Sequence, residues 1–127
     1  MWVMPSACSL EETAIRETRE EIGLDLRTHG RLLGVLDELR PRTPALPPII
    51  VRPFVVAVDT VPPLVLNHEV ADVRWVPLGE LFARETRVRT SVEVRTVRMN
   101  VEAYRHGDYL IWGMTERILA TLEVLWR

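Results

Sequence analysis

The chain has 127 residues, 47% of them apolar, enough for one compact core and far from the polar composition of a disordered segment. Sixteen basic against eighteen acidic residues leave a net charge of −2, which removes the electrostatic footprint needed to wrap nucleic acid or lie on an anionic membrane, while leaving a phosphate-bearing small molecule open as partner. Cys8 is the single cysteine, so no internal disulfide can form, and the opening MWVMPSACS has neither a charged n-region nor a long apolar stretch; a soluble, cytoplasmic protein is expected.

The first element is a helix. Ser9 followed three residues later by Glu12 forms a capping box, and Gly23 stands where a left-handed C′ residue is wanted, so the pattern predicts a helix over about 10 to 22. Arg31 to Leu39, RLLGVLDEL, reads as a strand with a glycine interruption. Pro41 to Pro48, PRTPALPP, lacks too many amide donors for a regular element and predicts a stiff loop. Ile49 to Val58, IIVRPFVVAV, suggests a strand buried on both faces, with Pro53 confined to a bulge or edge. Val61 to Leu66 is a weaker strand because of Pro62 and Pro63, and Val70 to Val76 is another, followed by a short helix over Leu78 to Phe82. From Thr86 to Met99 valines alternate with Arg87, Arg89, Glu93, Arg95 and Arg98, as half-buried strands or a hairpin would. Ile111, Met114, Ile118, Leu122 and Leu125 recur at steps of three or four and mark an amphipathic C-terminal helix. Strands between helices, with no repeat or linker, imply a single layered α/β or α+β domain over 1–127.

Residues 16 to 23, RETREEIG, carry the chemistry. At about 100° per residue, Glu17, Glu20 and Glu21 share one sector of the helix, with Ile15 and Ile22 on the other side. Like charges so spaced repel by a few tenths of a kcal/mol per pair, which Arg16 can offset by pairing with Glu20 and with Glu12. Two readings follow. The stripe is a solvated, salt-bridged helix face, or it holds Mg²⁺ or Mn²⁺, hard cations that take oxygen ligands and bridge carboxylates to phosphates.

The order Arg16-Glu17-x-x-Glu20-Glu21-x-Gly23-Leu24, preceded by Ser9-x-x-Glu12-x-Ala14, resembles the second half of the Nudix box. The resemblance implies a Nudix-like α/β/α sandwich with a central mixed sheet, and a divalent-metal-dependent pyrophosphatase, a hydrolase of a nucleoside diphosphate linked to another moiety. It implies that Glu17 and Glu21 are the principal metal ligands and Glu20 a third ligand with a catalytic part, and that Arg16 orients these carboxylates. In the family, the metal ions draw charge from the pyrophosphate oxygens and favour deprotonation of the attacking water.

Upstream the pattern departs. Where the family has a further glutamate this chain has Cys8, where it has a glycine stands Trp2, and no glycine precedes Gly23. The chain is therefore expected to lack the family's N-terminal strands, through truncation or as a degenerate homologue stabilised by a partner or a homodimer. A catalytically inactive Nudix-like module that binds a nucleotide or a protein partner is the alternative.

Glu69-Val70-x-x-Val73-x-Trp75-Val76-Pro77-Leu78 resembles a strand and turn common in the family; Trp75 is expected in the core, and Glu69 is structural or a helper to metal or substrate. His68 reads as a loop residue, and His29 and His106 have no partner at ligand spacing. Ile111-Trp112-Gly113-x-Thr115, with Gly34-x-Leu36-Asp37 ahead of a proline-bearing loop, is similar to the coenzyme A pyrophosphatase-like branch, which implies coenzyme A or a derivative as substrate, with ADP-ribose or another dinucleotide pyrophosphate as competitor.

Overall fold

The computed structural model describes residues 9–40 and 49–126. The readings made on residues 1–8, Trp2 and Cys8 among them, and on the proline-rich stretch 41–48 lie outside the described residues. The chain divides into two compact units, one drawn from Met1–Asp37 and Arg52–Val73, the other from Glu38–Val51 and Arg74–Arg127.

The first unit opens with α1, Leu10–Ile22, where it was expected. The Ser9 hydroxyl accepts a hydrogen bond from the Glu12 amide at 3.1 Å, Glu11 and Glu12 place negative charge in the first turn, and Gly23 ends the helix with φ 75°. Glu12 faces Arg27 at 4.0 Å. A single turn, α2 (Leu26–His29), follows, capped by Asp25, and runs into β1, Gly30–Val35. Gly30 is needed for space: a Cβ there would lie 2.7 Å from both the Leu26 carbonyl oxygen and Val56 Cγ1.

β1 pairs antiparallel with β2, Phe54–Val58, and the register shifts between Leu32 and Gly34, the glycine interruption taking the form of a bulge. The strand expected over Ile49 to Val58 is shorter than that. Pro53 has no N–H to donate, so β2 starts after it, although its carbonyl still accepts from the Leu36 amide at 2.9 Å. Its residues are half-buried and not enclosed on both faces, and Ile49 and Ile50 are exposed.

The stretches Val61–Leu66 and Val70–Val76, read from sequence as strands, form none. In the first, Pro62 and Pro63 break the donor ladder, and the backbone that follows bonds to α1: the Val65 amide donates to the Ile22 carbonyl at 2.9 Å and the Asn67 amide to the Glu21 carbonyl at 2.8 Å. In the second, the Asp72 carboxylate takes up the Val73 amide at 2.8 Å, a local bond in place of a ladder bond.

In the second unit, Pro77 leads into α3, Leu78–Leu81, and a 3₁₀ turn at Arg84–Thr86 is tied back by the Thr86 hydroxyl, which donates to the Glu80 carbonyl at 2.7 Å. The predicted hairpin is present and longer than expected: β3, Arg87–Val94, pairs with β4, Val97–His106, which pairs in turn with β5, Tyr109–Ile111. Its two turn residues, Arg95 and Thr96, both have positive φ, 50° and 69°, the backbone of a type I′ turn without the customary Asn-Gly. The last helix, α4, spans Met114–Trp126, so Ile111 belongs to β5, and Leu125, expected against the core, is 68% exposed. Every ladder among the described residues is antiparallel, in two separate sheets, β1-β2 and β3-β4-β5, so the α/β content is that of the expected fold while its strands are not joined into one mixed sheet.

The core of this unit is Leu81, Phe82 and Tyr104, with Val76, Leu78, Ile111, Leu119 and Leu122 packed against them. A polar network borders it. Buried Glu116 meets Arg87 at 2.7 Å, the Arg87 guanidinium lies 4.6 Å from the centre of the Tyr104 ring, and the Tyr104 hydroxyl donates to Glu123 at 2.7 Å. Burial first, and then the bond to Glu123, push the Tyr104 phenol well above its ordinary range. Burial opposes the charge on Arg87, but the hydrogen bond and charge of Glu116 outweigh it and raise the guanidinium further. Glu116→Gln is expected to lower the unfolding free energy by roughly 2 kcal/mol, because it strands the Arg87 charge, whereas Glu116→Leu with Arg87→Met should recover most of that loss; urea denaturation of the two variants checks both.

Candidate functional site

The acidic stripe lies on α1, with Glu17 and Glu20 exposed and Glu21 half-buried in the last turn. Arg16 bonds to Glu20 at 3.1 Å, the i,i+4 pairing expected from sequence, and both side chains are about half open to water, so the pair is worth only a few tenths of a kcal/mol. The anticipated second partner, Glu12, faces Arg27 instead.

Gly23 then does two things at once. Its positive φ turns the chain out of the helix, and its missing Cβ admits the loop around Val65, whose amide nitrogen would be 3.1 Å and Cβ 3.2 Å from any added methyl. Leu24, 4% exposed, anchors the turn behind it. The same loop is folded on itself: Asn67 accepts from the Glu69 amide through Oδ1 at 2.9 Å and from the Val70 amide through its carbonyl at 3.2 Å. The Asn67 amide bonds to the Glu21 carbonyl, so Glu69 is carried on a turn fixed to the end of the helix that bears Glu20 and Glu21. Glu69 itself is exposed, 3.9 Å from the imidazole of His68. Asn67 was missed in the sequence; its spacing to Glu69 signals an Asx turn, but nothing local signals the bond to α1.

Oxygen donors of this kind suit a hard divalent cation, and three of them stand about one turn apart on one helix, Glu17 against Glu20 and Glu21. In the structure their side chains do not converge: among the described residues, no three His, Cys, Asp or Glu side chains are gathered to hold a metal ion. Glu20 is turned toward Arg16.

A cleft of about 400 Å³ lies on the opposite side of α1, where Ile15 and Thr18 of the helix face Leu32, Phe54 and Val56 of the sheet, with Arg27 and Arg52 also lining it. Glu11 also lines this cleft, whereas Glu17, Glu20 and Glu21 do not. His106, in the other unit, stands 3.6 Å from Glu80. Trp75, expected in the core, is 65% exposed, because the segment that carries it joins no sheet. Neighbouring Arg74 bonds to Asp108 at 2.8 Å and lies 3.7 Å from the centre of the Tyr109 ring.

The helix, its glycine and the loop bonded to it fall within residues 3–95, the part of the chain that matches the NUDIX domain. The chain belongs to the Nudix family. Family members hydrolyse nucleoside diphosphate derivatives and generally use Mg²⁺ or Mn²⁺. The chain is also similar to an uncharacterized protein of Schizosaccharomyces pombe, 35% identical over 86 residues, which are 65% of this chain and 26% of that protein. It thus spans about a quarter of the length of this curated relative. No helix among the described residues is long and apolar enough to cross a membrane.

Gly23→Ala is expected to lower stability by about 1–3 kcal/mol, from the left-handed backbone and the displaced Val65, and to speed amide exchange at Val65 and Asn67 more than elsewhere. Asp25 provides a second check. The Arg27 amide, then the Thr28 hydroxyl, hold its carboxyl below the ordinary value of 3.8, so its contribution is complete above that value and is lost as pH falls through the lowered one. Asp25→Asn, which keeps a capping oxygen, should flatten the acid limb of the stability profile in that window.

Proposed function

We propose that the chain is the Nudix domain of a divalent-metal-dependent pyrophosphohydrolase, acting on a nucleoside diphosphate linked to a second moiety. The supporting observation is the in-register order Arg16-Glu17-x-x-Glu20-Glu21-x-Gly23 on one capped helix, with a second carboxylate-bearing turn, Asn67–Glu69, bonded to its end. Glu17 and Glu21 would hold Mg²⁺ or Mn²⁺ with Glu20 as the third ligand. The bound ion supplies Lewis-acid polarisation of the phosphate oxygens and a more acidic water. The chain's own part is to present these carboxylates from one capped helix, with Arg16 orienting Glu20. Glu69, carried on the turn bonded to the end of that helix, would accept a proton or a hydrogen bond from a substrate hydroxyl.

For the substrate, coenzyme A or a derivative is favoured over ADP-ribose by the similarity of the Gly34-x-Leu36-Asp37 and Ile111-Trp112-Gly113 segments to the coenzyme A pyrophosphatase-like branch. Gly113, with φ 76°, makes the bend before α4, where its carbonyl accepts from the Arg117 amide at 3.2 Å.

The second reading, a binding module without turnover, is favoured by the Arg16–Glu20 pair and by carboxylates that are not drawn together. The two are separated by Mn²⁺ titration, followed by electron paramagnetic resonance, and by assays of coenzyme A, ADP-ribose and dinucleoside polyphosphates with Mg²⁺ or Mn²⁺. Glu21→Gln is expected to weaken Mn²⁺ binding by about tenfold or more and to abolish turnover with the fold intact. Turnover surviving that substitution would remove Glu21 from the site, and nucleotide binding without hydrolysis under any metal would establish the second reading.

A further inference from the structure

β3 is the outer strand of its sheet: β4 lies along one side, and among the described residues no strand pairs with the other. Its eight residues hold an unbroken register with β4, without bulge or proline, two of the devices that blunt such an edge, and its charges are of both signs, Arg87 and Arg89 against Glu93. The turn fixes which groups face outward. Arg95 and Thr96 form a two-residue loop closed by the pair Val94↔Val97, and a pair flanking such a loop exchanges both its backbone hydrogen bonds. Val88, Thr90, Val92 and Val94 therefore direct N–H and C=O toward β4. Arg87, Arg89, Ser91 and Glu93 direct theirs to the open edge.

That parity and the charges select one antiparallel register of the strand with itself. A two-fold axis at Ser91 places Arg89 opposite the partner's Glu93, twice. Arg89 already faces Glu102 at 3.7 Å, and Glu93 stands opposite Arg98 in the β3-β4 register, so the row across four strands reads Glu102, Arg89, the partner's Glu93, the partner's Arg98, alternating in sign. In this register Arg87, already bound to Glu116, comes opposite the partner's turn residue Arg95; moving the axis to Val92 would instead set Arg89 against that arginine and Glu93 against the partner's Ser91, so both opposite-charge pairs would be lost. Moving it to Thr90 would leave Arg89 opposite a serine and call on Arg87, which is bound to Glu116.

The other face carries the apolar complement. Val94, Val97 and Met99 near the hairpin tip are 36%, 59% and 43% exposed, whereas Ala103 at its base is fully buried. In the Ser91-centred register Val94 lies beside the partner's Val88, so each exposed tip continues the covered base of the other hairpin.

We propose that β3 is the surface through which two copies of this chain associate, edge to edge and antiparallel about Ser91. The proposal rests on the hairpin alone and stands or falls independently of the hydrolase reading.

Sedimentation velocity on the whole chain tests it. The unmodified chain should be dimeric at micromolar concentration, and Arg89→Glu or Glu93→Arg alone should weaken self-association by about tenfold or more, since each sets like charges opposite each other twice. Mixing the two variants should restore a dimer containing one of each, because both cross-strand pairs are then of opposite sign. As a readout that needs no variant, the amides of Arg89, Ser91 and Glu93 should gain protection from hydrogen exchange as the concentration of the unmodified chain is raised. A chain that stays monomeric, a dimer indifferent to both substitutions, variants that do not pair on mixing, or a dimer with those three amides unprotected would each overturn the proposal.

Discussion

The candidate site depends on how α1 ends. The last carbonyls of a helix have no partners within it, and here two of them, on Glu21 and Ile22, are taken by the amides of Asn67 and Val65, some forty residues further along the chain. Gly23 lets that closure form without strain, since it takes the positive φ freely and brings no Cβ against the Val65 backbone. One glycine thus joins a local event, the stop of a helix, to a distant one, the seating of the turn that carries Glu69. A side chain there would strain the contact that seats the second carboxylate near the end of the acidic stripe.

What was legible in the sequence divides along the same line between local and distant causes. Ser9, Glu12 and Gly23 fix α1 through bonds among neighbours, and the alternation of Val88, Val92, Val94 and Val97 announces the hairpin, so both were read correctly. The tip of that hairpin was not legible, because Arg95 and Thr96 adopt positive φ without the residues that usually signal it. Val61–Leu66 and Val70–Val76 have strand-like composition, yet the partners of the first are helix carbonyls and those of the second are partly its own side chains; composition carries neither fact. Pro53 was read as lying within its strand at a bulge or edge, whereas the strand starts only after it. For the site, the acid spacing and the Arg16–Glu20 pair were legible, while the turn at Asn67 and the exposure of Trp75 were not.

The family match ends at residue 95, inside the turn between β3 and β4, so β4, β5 and α4 lie past it. Yet β4 and α4 contribute Tyr104, Leu119 and Leu122 to the core around Leu81 and Phe82, and Glu116 to the ion pair with Arg87. The later part of the chain is thus bound into the packing of the matched part by apolar contact and by a largely buried charge pair, the kind of bond that is strongly disfavoured once one partner is removed.

No residue of α1 is fully buried. One side of it lines a cleft, Glu17 and Glu20 are open to water, and its C-terminal end is bonded to the loop at Val65 and Asn67. A segment with so little burial opens at a lower free energy than the whole molecule unfolds. Anything that binds the closed helix and not the open one is then felt first as a stiffening of this single element. Recognition at the acidic stripe and order in α1 become two measurements of the same equilibrium.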